Sequence, residues 1–133
     1  MQKQNKVPTI IRIIFGLMMI GSGIGMFVLG GFPIEYENPS ADQYMVALVE
    51  TGYFVPFLAV VKIVCGLAFF TNRFVPLALI IFMPVSINMV VFHISLEQIT
   101  GVGAYMILAM NVYLMIKNIE AYRPLLKMKS LNE

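Results

Sequence analysis

Four long apolar runs separated by short polar breaks set the pattern of this chain: Thr9–Gly31, Tyr53–Thr71, Phe74–Leu96 and Gly101–Lys117. A helix needs roughly 20 apolar residues to cross about 30 Å of hydrocarbon, and each run is near that length. The pattern predicts an all-α integral membrane protein with four spans in a single domain over residues 1–133. The breaks Thr71-Asn72-Arg73 and Glu97-Gln98-Ile99-Thr100 are so short that the spans they join must be neighbours. The simplest closure is an up-down-up-down four-helix bundle. The first break, residues 32–52, is the one sizeable extramembrane piece. Within it Asn38-Pro39 interrupts regular structure, and Ser40 followed by Gln43 reads as a capping box. A short helix is therefore expected from Ala41 to Thr51, ended by Gly52.

Composition agrees with the pattern. The chain is 59% hydrophobic and 12% charged, whereas soluble domains are about half apolar with roughly twice that share of charge. The spans use most of the 133 residues, so no separate soluble catalytic domain is expected. Charge then orients the spans. Lys3, Lys6 and Arg12, then Arg73, then Lys117, Arg123, Lys127 and Lys129 all fall on one side of an antiparallel arrangement. The first and third breaks carry Glu35, Glu37, Asp42, Glu50 and Glu97, with no Lys or Arg. The positive-inside rule places both termini in the cytoplasm. The bases read as membrane anchors rather than as a nucleic-acid footprint. The first apolar run exceeds the about 7–15 residues of a signal-peptide core, so it is expected to stay as a span.

Lys62 is the most unusual residue, because it falls near the middle of the second run. A charged group at the bilayer centre costs at least about 2.5–3.5 kcal/mol, so such a lysine is expected to face the bundle interior. Its side chain leans toward its helix N-terminus, which brings the ammonium to the height expected for Asn88 in the third span. Pro84, one turn below Asn88, leaves the Ile80 carbonyl without its helical donor. Either a small polar pocket or a buried structural bond fits these features. His93, the single histidine, lies at i, i+4 from Glu97; the pair is either a solvated contact or a proton-exchanging, ligand-orienting group. Lys62, Asn88 and His93 are the candidate binding residues. Asn111 in the fourth run is expected to make an interhelical hydrogen bond. Gly21 and Gly25 form a GxxxG, which serves either packing inside the bundle or a homodimer face. The eleven methionines do not cluster and read as packing rather than as a copper pathway.

Several chemistries are excluded. With one cysteine, Cys65, intrachain thiol–disulfide cycling is impossible. One His, one Cys and no carboxylate inside the spans cannot supply a metal site or a bis-histidine haem. No phosphate-binding glycine loop and no nucleophile–base pair stands out.

The stretch Phe54–His93, FVPFLAVVKIVCGLAFFTNRFVPLALIIFMPVSINMVVFH, resembles the DoxX family of small four-helix bacterial membrane proteins. The likeness lies in the proline opening span two, the Cys65-Gly66-Leu67 step, the NRFVPLAL turn and the spacing Pro84, Asn88, His93. RIIFGLMMIGSGIGMF in span one is similar too. Where the family carries a glutamate four residues before the span-two glycine, this chain has Lys62, so no role of that glutamate transfers. The resemblance implies a multi-pass protein of the bacterial inner membrane, in a family linked to thiosulfate:quinone oxidoreductase and to membrane-bound oxidative-stress complexes. It leads to an accessory subunit or a module binding an apolar ligand, a quinone or a lipid. A partner subunit or a second copy is the expected protein contact. The alternatives are a catalytic subunit of a quinone-linked oxidoreductase and a structural or chaperone-like membrane protein without ligand.

Overall fold

A computed structural model describes residues 5–32, 36–97 and 101–127. Among them the chain forms α1 (Val7–Leu29), α2 (Pro39–Glu50), α3 (Phe54–Thr71), α4 (Val75–Leu96), α5 (Val102–Lys117) and the short α6 (Ile119–Tyr122), which runs into a 3₁₀ turn, Arg123–Leu126. Helices α1, α3 and α4 are long and apolar enough to cross a membrane, and the bent pair of α5 with the segment Ile119–Leu126 makes a fourth candidate. Each of these helices packs on two others: α1 on α3 and α5, and α4 on α3 and α5.

The surface is apolar as well as the core. Ile14, Leu17, Phe27, Val64, Leu77 and Ile94 are exposed, and such all-round apolarity belongs to helices surrounded by lipid rather than water. Inside, Phe15 stacks on Phe69 at 4.8 Å and meets Phe82 edge-on at 5.9 Å. Met19, Leu79, Ile107 and Leu114 complete this core.

The helix ends follow local chemistry. Asn72 and Phe74 both take left-handed backbone, at φ 58° and 56°, and turn the chain tightly between α3 and α4. Gly52, at φ 75°, breaks α2 from α3. The cap of α2 is Asn38 rather than the expected Ser40: the Asn38 carboxamide oxygen accepts from the Ser40 N–H at 3.0 Å. Pro39 makes this so, because its fixed φ and missing N–H suit the first helical position. The fourth expected span also differs. α5 has 16 residues, about 24 Å at 1.5 Å per residue, and the chain then bends by 77°. The bend falls at Asn118, whose side chain donates to the Leu114 carbonyl at 2.7 Å alongside its own backbone N–H at 3.1 Å, and so caps the last turn of α5. Tyr122 Oη donates to the Pro76 carbonyl at 2.9 Å and ties this tail to the start of α4. Arg12 was expected as a flanking base; its guanidinium donates to the Phe69 carbonyl and, at 3.4 Å, to that of Phe70. It thereby satisfies orphan acceptors at the end of α3. The expected turn at residues 98–100 lies outside the described residues.

Candidate functional site

The seam between α1 and α3 is a close backbone approach. A Cβ added to Gly16 would lie 2.9 Å from the Gly66 carbonyl oxygen, one on Gly66 would lie 2.8 Å from that of Gly16, and one on Gly23 would lie 2.9 Å from that of Ala59. The packing glycines are therefore Gly16, Gly23 and Gly66. At Gly21 and Gly25 an added Cβ would meet nothing within 4 Å among the described residues, so the GxxxG packs none of the described helices.

Lys62 sits on the α3 face that forms the seam. It is 6% exposed, as a lysine turned inward should be. Its ammonium donates to Ser22 Oγ of α1 at 2.9 Å, and not to Asn88. Height along the membrane brought Lys62 and Asn88 together in the sequence; direction around the helix separates them. Ala59, Lys62, Gly66 and Phe69 are the buried stripe of α3, and Gly66 and Ala59 within it face α1.

A second polar pair lies between α4 and α5. Asn111, fully buried, donates from Nδ2 to Ser86 Oγ at 3.0 Å, which is the interhelical bond expected of it. Ser86 Oγ in turn donates to the Phe82 carbonyl at 3.2 Å. Ser86 carried no signal of its own; it shares the inner face of α4 with Phe82, one turn away.

Asn88, two residues after Ser86, is turned outward and exposed. It lies in an open groove of about 590 Å³ lined by Ile80, Met83, Pro84, Ile87, Val91 and, from α5, Met115. α4 continues as one helix through Pro84. Since proline has no N–H, the Ile80 carbonyl in the groove lacks its helical donor. The groove therefore pairs apolar walls with one amide and one backbone acceptor that lacks its helical donor.

His93 occupies a third place, at the α2 end of α4. It is 7% exposed, and its Nδ1 is buried without a hydrogen-bond partner. The Tyr36 ring lies 6.3 Å away and that of Phe92 5.2 Å away. Neither His93 nor Glu97 is solvated, although the first of the two readings of this pair required it. Glu97 is also 7% exposed, and its carboxylate accepts the Asn38 N–H at 2.6 Å. Asn38 Nδ2 donates to the Leu96 carbonyl at 2.5 Å. Asn38 thus clamps the start of α2 to the end of α4, and Tyr36 packs beside the clamp. Burial, and secondarily the Glu97 charge, push the Tyr36 phenol above its ordinary range. Tyr36 carried no signal in the sequence, and Asn38-Pro39, read there as a break in regular structure, is a helix start.

Lys62, Asn88 and His93 thus lie in three separate surroundings and do not line one pocket. A second cleft, of about 240 Å³, opens between α1, α2 and α3 and is lined by Met26, Val49, Val55 and Pro56 among others. It contains none of the three. Among the described residues no three His, Cys, Asp or Glu side chains converge. Comparison with known family models, with curated proteins and with solved structures finds no match to the chain.

Proposed function

We propose that this is a four-span protein of the bacterial inner membrane that holds an apolar molecule, a quinone or a lipid, in the α4–α5 groove, as a small accessory subunit. The observation that carries this reading is Asn88, an amide exposed on an otherwise apolar face of a helix long enough to span the bilayer. Moving an amide out of water with no compensating hydrogen bond costs roughly 2–7 kcal/mol. A ligand with a carbonyl or hydroxyl among apolar rings or chains removes that cost: Nδ2 donates to its carbonyl, and Oδ1 accepts from its hydroxyl. The groove volume of about 590 Å³ falls within the roughly 300–1,000 Å³ common for small-molecule sites.

Both termini lie in the cytoplasm in this reading, because the flanking bases gather at that end. α5 completes the fourth crossing with its tail along the inner surface. The likeness of Phe54–His93 to the DoxX family supports the same placement and the quinone-linked setting.

The test is mass spectrometry of what co-purifies in mild detergent. Wild-type protein should carry a stoichiometric quinone or lipid, and Asn88→Leu, which keeps the helix and removes the amide, should lose it. Equal retention by both proteins overturns the assignment of the groove.

A further inference from the structure

We propose that the α1 face around Ser22 receives a transmembrane helix of another protein, one carrying an aspartate or glutamate at mid-depth that pairs with Lys62. The inference rests on the membrane-spanning reading above and not on the occupancy of the groove.

Lys62 lies near the middle of the 18-residue α3, where a charged group is at its most costly in a bilayer. An ammonium offers three donors, and among the described residues the hydrogen bond it makes is to Ser22 Oγ. That acceptor is a neutral hydroxyl. Long-range neutralisation within the chain is also missing: all seven acidic residues fall outside α1, α3, α4 and α5. The same fact excludes a second copy as the counter-charge, since it brings no carboxylate to that depth either.

The route outward runs past Ser22. Lys62 itself is buried, but Ser22, which holds its ammonium, is exposed on α1. On either side Gly21 and Gly25 would accept a Cβ with no atom within 4 Å. A helix laid across this face can approach the α1 backbone closely. Its carboxylate would then reach Ser22 and the Lys62 ammonium together, out of water, where a charge-assisted hydrogen bond is strongest. An apolar helix could use the smooth face but would leave Lys62 as it is. The chemistry therefore selects an acidic one.

The test uses the full-length protein in lipid vesicles with synthetic transmembrane peptides of one Leu/Ala sequence, differing only at a central Glu, Gln or Leu. Association is read by energy transfer from labelled peptide to labelled protein. The Glu peptide should bind at least about tenfold more tightly than the Leu peptide. Lys62→Met should erase the preference, and Lys62→Glu should transfer it to a peptide with a central Lys. Ser22→Leu, which covers the ammonium, should weaken Glu-peptide binding. The vesicles contain no quinone, so the outcome is independent of the groove. Equal binding of the three peptides to wild-type protein overturns the proposal, and so does a Glu preference that survives Lys62→Met. Lys62-dependent self-association that excludes the peptide would also overturn it, in favour of a second copy.

Discussion

Replacing single glycines by alanine should have opposite effects on the two sides of α1. In Gly66→Ala the new Cβ would lie 2.8 Å from the Gly16 oxygen and 2.8 Å from Ile20 Cγ1, where ordinary contact begins at 3.4 Å. The shortfall is 3.4 − 2.8, or 0.6 Å, and one of the blocking atoms is backbone, which cannot rotate away. The seam must open, and a gap of about 0.5–1 Å forfeits a quarter to a half of each dispersion contact along it. Overpacking of this kind costs about 1–3 kcal/mol, against which the better helix propensity of alanine returns about 1 kcal/mol. The net expectation is a loss of up to about 2 kcal/mol. Gly16→Ala faces the same obstacle, at 2.9 Å from the Gly66 oxygen and from the Phe70 nitrogen. Gly21→Ala and Gly25→Ala meet nothing, so propensity alone acts and they should gain about 0.5–1 kcal/mol. Reversible unfolding in mixed micelles of mild detergent and dodecyl sulfate, followed by circular dichroism, measures each variant. If Gly66→Ala and Gly21→Ala shift the transition in the same direction, the seam does not lie where the structure puts it.

Cysteines introduced at Glu37 and at Lys127, in a Cys65→Ala background, test orientation. In cells with a permeabilised outer membrane an impermeant thiol reagent should label Glu37→Cys and spare Lys127→Cys, and the reverse pattern would invert the topology. The Tyr36 phenol titrates above its ordinary value near 10 because of burial and the Glu97 charge. The folded state therefore holds this proton more tightly than the unfolded chain, so the stability it contributes is intact below about pH 10 and falls as pH rises through the folded value. The ultraviolet difference titration between wild type and Tyr36→Phe should show phenolate appearing late, and earlier in Glu97→Gln. A midpoint at the ordinary tyrosine value, unmoved by Glu97→Gln, would contradict the placement of Tyr36.

For three of the four apolar runs helix existence and extent were legible in the sequence, because each ends on a residue that stops it: Gly30 after α1, Asn72 after α3, Glu97 after α4. The inward turn of Lys62 was legible too, from the cost of exposing an amine to hydrocarbon. Its partner was not. In water a polar face marks the outside of a helix, but here exposed Leu17 and buried Met19 are equally apolar, so rotation about the helix axis leaves almost no trace in the sequence. Asn88 and Ser86 show the result: two polar residues two positions apart, one facing the groove and the other bonded inside. The α1 seam was hidden for the same reason. Gly16 and Gly23, seven residues apart, pack on α3, while the more familiar spacing of Gly21 and Gly25 lies on the open face. The bend comes at Asn118, where the side chain returns to the Leu114 carbonyl, and apolar length alone does not reveal it.

Photo-crosslinking in native membrane vesicles tests the α4–α5 groove most directly, with a photoreactive quinone analogue in one set and a diazirine phospholipid in another. The account expects adducts on Ile80–Val91 and Met115 that disappear with excess unlabelled compound of the same class and are lost in Asn88→Leu; the class that competes identifies the ligand. Labels spread evenly over the lipid-facing sides of α1, α3 and α4, unaffected by competitor and by Asn88→Leu, would contradict it.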